Sequence, residues 1–281
     1  MLINMSRKKL LWLLFIIVIY LTFTIMRGER FYWGSIGLIA LCFICELLDS
    51  SLGMGYGTTL TPIFLALGYQ PLQLVPTILL SELLSGFSSS YFHHDSGNVD
   101  FSRNSRDSRT ALILALGSVV GVAIGVNVAV QIPTIVLKLL IGIVITLAGF
   151  SIWILNKRIL VYKTWKMCVL AIVASFNKAL SGGGYGPLMT SGQILSGINS
   201  RASVGITSFA EGFTCLVGVI LFLWKGQRFA PELMIPVITG ALLSVPFSTE
   251  LVKHVNEALL KRVIAGLTIA LGIFTICKVV L

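Results

Sequence analysis

Apolar residues fill eleven stretches of the 281-residue chain, at about 10–26, 33–48, 58–67, 71–92, 110–130, 133–155, 167–180, 187–195, 203–224, 233–247 and 259–281, with short polar links between them. Runs of this length, lacking the alternation of half-buried strands, predict an all-α polytopic membrane protein. A crossing takes ~20 residues at ~1.5 Å each. The stretches 58–67 and 187–195 fall short of that and predict half-length helices. Each follows a glycine run that holds no helix, "SLGMGYG" ending at Gly57 and "SGGGYG" ending at Gly186.

Sliding Gly57 onto Gly186, an offset of 129, superposes more than these breaks. Gly53, Gly55, Tyr56, Gly57, Thr61, Gly68, Val75 and Glu82 fall on Gly182, Gly184, Tyr185, Gly186, Thr190, Gly197, Val204 and Glu211. That is 8 identities in the 34 positions from Gly53 to Gly86, where about two would arise by chance. An offset of 123, reflecting a longer loop in the first half, places Gly117 on Gly240, Leu137 and Lys138 on Leu260 and Lys261, and Gly149 on Gly272. The chain therefore reads as an added N-terminal helix, 1–30, followed by two repeats, 31–156 and 157–281.

Composition agrees, with 56% apolar and 11% charged residues against roughly 25% charged in soluble domains. Arg7, Lys8 and Lys9 before the first apolar run resemble a signal peptide, but no small-residue cleavage site follows, which predicts an uncleaved first helix. The net charge of +10 lies between apolar runs, where it marks cytoplasmic loops beside a lipid bilayer rather than a nucleic-acid surface. Charge also orients the breaks. If each break turns back within the membrane, the loop with Arg103, Arg106 and Arg109 and the loop with Lys157, Arg158, Lys163 and Lys166 share the side of the N-terminus. If each break crosses, the first of those loops lands opposite. The sequence thus predicts about seven full crossings plus two re-entrant hairpins of half-helices, inverted repeats, and a cytoplasmic N-terminus in the cell membrane.

A helix broken in hydrocarbon leaves backbone groups that only protein, a cavity or a ligand can satisfy. Matched glycine-broken segments in an inverted duplication point to a transporter site near the midplane. Each short helix would begin there with free N–H groups and the positive end of its dipole, a site for an anion. The candidate binding residues are Gly55, Tyr56, Gly57, Thr58 and Thr59 in the first half and Gly183, Gly184, Tyr185, Gly186, Pro187 and Leu188 in the second. Thr58 and Thr59 would cap the first helix, Pro187 suits the first position of the other, and the two tyrosines and nearby hydroxyls would close the shell. Close helix packing by small residues is the competing reading for the glycines.

Glu82 and Glu211 sit at equivalent places midway along their helices, where an ionisable group costs at least about 2.5 kcal/mol on insertion scales. They read as proton-coupling or gating groups, or as braces for their own hairpins. Asp49 and Lys178 also correspond, just before the breaks; Lys178 either adds charge to an anion site or pairs with Asp49 or Glu46. The five cysteines lie in or at the ends of apolar segments, so "CFIC" at Cys42–Cys45 reads as membrane-helix packing. His93 and His94 have no further ligand at helical spacing. No metal, cofactor or nucleotide-binding segment is expected.

The stretches "DSSLGMGYGTTLTPIFLALGYQPLQLVPTILLSELLSG" and "NKALSGGGYGPLMTSGQILSGINSRASVGITSFAEG", with "GSVVGVAIG" after the central loop, resemble the sulfite exporter TauE/SafE family of membrane permeases over 31–281. Gly182, Gly183, Gly184 and Pro187 match its pattern, while Met54 and Thr58 depart from it. The resemblance implies transport of sulfur-containing anions such as sulfite or sulfonates. The expected function is a non-enzymatic secondary transporter, an exporter by that resemblance, moving such an anion by alternating access with proton linkage. An uncoupled anion channel, an intramembrane enzyme using Glu82 and Glu211, and a scaffold are the alternatives. Lipid-facing and helix-facing surfaces have similar composition, which leaves a homodimer open.

Overall fold

The computed structural model describes residues 6–26, 33–154, 164–254 and 257–280. Among the described residues there are eleven helices and no strand: α1 (Arg7–Met26), α2 (Trp33–Leu52), α3 (Tyr56–Ala66), α4 (Pro71–Asp95), α5 (Arg106–Gln131), α6 (Thr134–Ile154), α7 (Thr164–Ser181), α8 (Tyr185–Leu195), α9 (Ser200–Trp224), α10 (Pro231–Leu251) and α11 (Glu257–Val280). The fold is that of an all-α polytopic membrane protein. Among the described residues five segments are long and apolar enough to cross a membrane: α5, 134–151 of α6, α9, α10 and 262–280 of α11. Of the other two expected crossings, α1 has 20 residues and α4 has 25. A buried polar face with Ser81, Glu82, Ser85, Ser89, Ser90 and His93 keeps the hydropathy of α4 low. The expected loop charges Lys157, Arg158 and Lys163 lie outside the described residues.

The short helices α3 and α8 have 11 residues each, the half-length expected. Their partners are longer than the expected half-helices: α2 has 20 residues and α7 has 18, about 30 and 27 Å. Polar residues at their ends continue the helix because they are satisfied locally. Ser50 Oγ donates to Glu46 Oε1 at 2.6 Å, Ser51 Oγ donates to Leu47 O, and Ser181 Oγ donates to Asn177 O at 2.8 Å.

The long helices pack in pairs through glycine. α4 and α9 cross antiparallel, with Gly86 against Ser208 and Gly212, and Gly218 against Leu79. α6 and α11 cross antiparallel, with Gly142 near Gly272 and Ile276, and Gly149 near Ala265 and Ile269. α2 lies parallel to α10, where Gly240 meets Ile39 and Cys42, and Ser51 reaches Ser248 O. α7 lies parallel to α5, where Gly117 meets Cys168 and Ala171. Gly117 and Gly240 are equivalent, as are Ile39 with Cys168 and Cys42 with Ala171. Each long hairpin arm thus packs on a helix of the other half.

Helix ends fall into two sets. Lys8 Nζ bonds Asp95 Oδ1 at 2.6 Å and Lys9 Nζ bonds Glu250 Oε1 at 2.8 Å, so α1 begins where α4 and α10 end. At the other end Ala230 N–H donates to Thr77 Oγ1 at 2.8 Å, joining the starts of α10 and α4, and Lys278 Nζ donates to Ala66 O. Because α2 runs parallel to α10 and α3 leads into α4, the α2–α3 hairpin enters and leaves at this second end. By the same contacts the α7–α8 hairpin enters and leaves at the end where α1 begins.

Two apolar clusters seat the short helices. Tyr56, Leu60 and Phe64 of α3 pack with Cys42, Leu74, Ile78 and Val237. Tyr185 and Met189 of α8 pack with Leu114, Ala171, Ile206 and Ala210.

Candidate functional site

The two glycine breaks meet each other. Gly53 and Gly182 hold φ of 71° and 69° as they end α2 and α7, and Gly53 N–H and Gly182 N–H return to Asp49 O and Lys178 O at 2.6 and 2.8 Å. A left-handed glycine that closes a helix in this way is a C-cap. A side chain on Gly57 would overlap Gly182 O, and one on the equivalent Gly186 would overlap Gly53 O. Thr190 Oγ1 adds a hydrogen bond to Gly53 O at 3.0 Å. The breaks therefore interlock backbone to backbone, an approach that only glycine permits. Every residue of 50–62 and of 178–187 is buried, including all the expected binding residues except the half-buried Leu188.

Lys178 joins the two glutamates that correspond at the offset of 129. Its Nζ bonds Glu82 Oε2 and, at 2.7 Å, Glu211 Oε1; their side chains are 1%, 4% and 7% exposed. The expected pairing of Lys178 with Asp49 or Glu46 is corrected. Lys178 lies at the end of α7 beside the α4–α9 crossing, so the carboxyls of those two helices are the acceptors within reach. Glu82 and Glu211 come together on one ammonium, which belongs to the hairpin that precedes Glu211 and to the opposite half from Glu82.

The expected cap of α3 is also corrected. No side chain of the helix start caps it: Thr58 Oγ1 donates backward to Gly55 O at 3.3 Å. The Asp49 carboxylate instead accepts the Tyr56 N–H at 3.0 Å, placing a protein anion at the positive end of α3. On α8 the equivalent of that aspartate is Lys178, which faces the glutamates, and no side-chain cap is present. Pro187 is the third residue of α8, not the first; it still lies in the first turn, where a missing N–H is tolerated.

The tyrosine hydroxyls reach away from the breaks. Tyr56 Oη pairs with Ser81 Oγ at 2.8 Å and donates to Val237 O at 3.2 Å, while Tyr185 Oη pairs with Ser118 Oγ at 3.0 Å. They fasten α3 to α4 and α10, and α8 to α5. Thr207 is a second-half polar residue that the repeat comparison missed, because its counterpart is Ile78. Its hydroxyl pairs with Thr190 Oγ1 at 3.1 Å and accepts from Gln193 Nε2 at 2.8 Å. Glu46 was named only as a partner for Lys178; its spacing of one turn from Asp49 was the signal that both face the same centre. His93 Nε2 bonds Ser50 O at 2.8 Å. Among the described residues no group of three or more His, Cys, Asp or Glu side chains could hold a metal ion.

The centre thus combines interlocked helix breaks, one uncapped helix N-terminus and a lysine shared by two carboxylates, buried between paired transmembrane helices. Residues 38–275 match the Sulfite exporter TauE/SafE family. The chain is also similar to the "Probable membrane transporter protein YtnM" of Bacillus subtilis (strain 168), with 27% identity over 257 residues covering 85% of this chain and 82% of that protein. No solved structure matches it. With a match running through both hairpins and nearly the whole helical bundle, the chain belongs to the Sulfite exporter TauE/SafE family of membrane transporters.

Proposed function

We propose that this protein is a secondary transporter that exports a small sulfur-containing oxyanion, such as sulfite or an organosulfonate, across the cytoplasmic membrane. The observation that carries this reading is the interlock of Gly53–Gly57 with Gly182–Gly186 beside the buried Lys178. An anion is drawn to free helix N–H groups, and glycine lets it approach the backbone. Asp49 already occupies the start of α3, so the backbone from Gly184 to Leu188 at the start of α8 is the stronger of the two halves of the site. Gly55 to Thr59 line the opposing wall.

The working units are an added helix, 1–30, and two inverted repeats, 31–156 and 157–281. The recurrence of Gly117 and Gly240 contacts between equivalent residues supports that division. Rocking of one repeat against the other opens the buried centre to each side in turn. Glu82, Lys178 and Glu211 form a latch between α4, α7 and α9. Protonating either carboxylate removes half the attraction that holds Lys178, which links a proton to the opening step. The N-terminus is cytoplasmic, in keeping with the basic residues at that end.

The test is anion flux in proteoliposomes with sulfite, sulfate, thiosulfate and small sulfonates, with and without an imposed pH gradient. The expected result is flux of one sulfur anion that follows the gradient and loses that dependence in Glu211→Gln. Flux indifferent to the gradient in both proteins would instead describe an uncoupled channel. Absence of flux for every anion would overturn the reading.

A further inference from the structure

We infer that Glu46 is a proton-carrying group of the transport cycle, filled from the end of the bundle at which α1 begins; this rests on the proton-linked reading above. Four carboxyls and one ammonium gather where α2, α4, α7 and α9 meet: Glu46, Asp49, Glu82, Glu211 and Lys178. With all of them ionised this centre would carry three negative charges in excess, which repels an arriving anion. Protons must therefore sit on some of the carboxyls whenever the anion is bound.

The geometry selects the carboxyl. Glu82 and Glu211 share Lys178, and Asp49 is held by the Tyr56 N–H at the positive end of α3. Among the described residues no cation pairs with Glu46. It is 2% exposed; Oε1 accepts from Ser50 Oγ at 2.6 Å, and Oε2 is buried with no hydrogen-bond partner. A buried carboxylate in that position would be uncompensated, whereas a neutral carboxyl is tolerated. The titratable groups that act on it are Cys42, Cys45 and Asp49 on α2, Tyr56 on α3 and Glu211 on α9, and behind them Glu82 on α4 and Lys178 on α7 act on Asp49 and Glu211. α4 adds His93, through Ser50, and α10 has no titratable residue between Glu232 and Glu250.

A second, independent observation gives the side of entry. From Ser50 a chain of buried polar groups leads toward the start of α1. His93 Nε2–H donates to Ser50 O at 2.8 Å, and Asn98 Nδ2 bonds both His93 Nδ1 and Thr249 O at 3.1 Å. Lys9 Nζ then bonds Thr249 Oγ1 at 2.9 Å and the half-exposed Glu250 at 2.8 Å. In the other half the equivalents of Glu46, Ser50, His93 and Thr249 are Ser175, Ala179, Phe222 and Val126. This set of polar groups therefore has no counterpart in the second repeat, and the carboxyl itself is missing there.

The experiment uses full-length protein in proteoliposomes, with sulfite flux read with and without a pH gradient, and pH-dependent infrared spectroscopy of the purified protein. Wild type should carry a protonated-carboxyl band that is absent from Glu46→Gln and kept in Glu82→Gln. Glu46→Gln should also lose the acceleration of flux by the gradient, with Glu46→Asp restoring it. A band and a gradient response both unchanged in Glu46→Gln overturn the inference. If Glu46→Gln does not fold, Ser50→Ala removes the hydrogen bond to Glu46 Oε1 and should shift both readouts; no shift overturns it. A wild type that moves no sulfur anion sinks the proposed function, whereas the fate of the infrared band still decides where the proton resides.

Discussion

Lys178 is the residue on which the centre depends most. Removing it leaves two buried carboxylates facing each other without a cation, whereas removing one glutamate leaves a matched pair. Breaking a buried pair in the first way costs about 3–5 kcal/mol. Lys178→Met should therefore lower the thermal unfolding temperature far more than Glu82→Gln or Glu211→Gln, measured in the same detergent; equal losses would mean that the three groups do not form one unit. A pH dependence belongs to the water-exposed loop between α4 and α5. There the Asp100 carboxylate accepts from Ser102 N–H at 2.8 Å and Ser102 Oγ at 3.0 Å, bonds that hold its carboxyl below the usual carboxylate range. A depressed folded value means that the ordering is present at neutral pH and is lost as pH falls through that value. Slower amide exchange at 100–105 in wild type than in Asp100→Asn should be seen at neutral pH and should fade on acidification.

At the scale of elements, the glycines divide by what surrounds them. A Cβ on Gly57 or Gly186 would enter the space of a facing backbone carbonyl, while one on Gly266, in the middle of α11, meets nothing within 4 Å. Overpacking ordinarily costs about 1–3 kcal/mol, and a backbone obstacle cannot rotate aside as a side chain does. Gly57→Ala and Gly186→Ala should therefore fail to give monodisperse protein, whereas Gly266→Ala should be neutral or stabilised by up to ~1 kcal/mol through helix propensity. Comparable behaviour of all three in size-exclusion and melting assays would remove the interlock as the reason for the glycines. These breaks were legible in sequence because helix formers disappear at matching places. The lengths of α2 and α7 were not: their last turns are polar, and only Ser50, Ser51 and Ser181 bonding back into their own helices shows why the helix continues past the apolar run. The Asp49 cap was hidden for a related reason. It comes from the preceding helix, across the break, whereas sequence rules for caps look inside the helix being started.

For the molecule as a whole, which helix packs on which was not readable in the sequence, since an offset relates residues of the two halves without saying that they touch. Contacts supply that step: Glu82 and Glu211, equivalent by offset, meet on Lys178, and each long hairpin arm leans on the opposite half. The same contacts separate the helix ends into two sets and so make orientation testable. Lys8 and Lys9 tie the start of α1 to the ends of α4 and α10, and the loop carrying Arg103 follows directly from the end of α4. The turn carrying Gln227 precedes α10, whose start is bonded to Thr77 near the opposite end of α4. With the exposed Cys277 replaced by serine, Arg103→Cys should be blocked only by a thiol reagent that has reached the cytoplasm. Gln227→Cys should react with an impermeant reagent added outside, because its turn lies at the end of α4 opposite the one that gathers Arg7, Lys8, Lys9, Arg103, Arg106 and Arg109. Both cysteines reacting from one side would require α4 to turn back within the membrane, and the assignment of a single crossing to this helix, with the two hairpins entering from opposite sides, would fall with it.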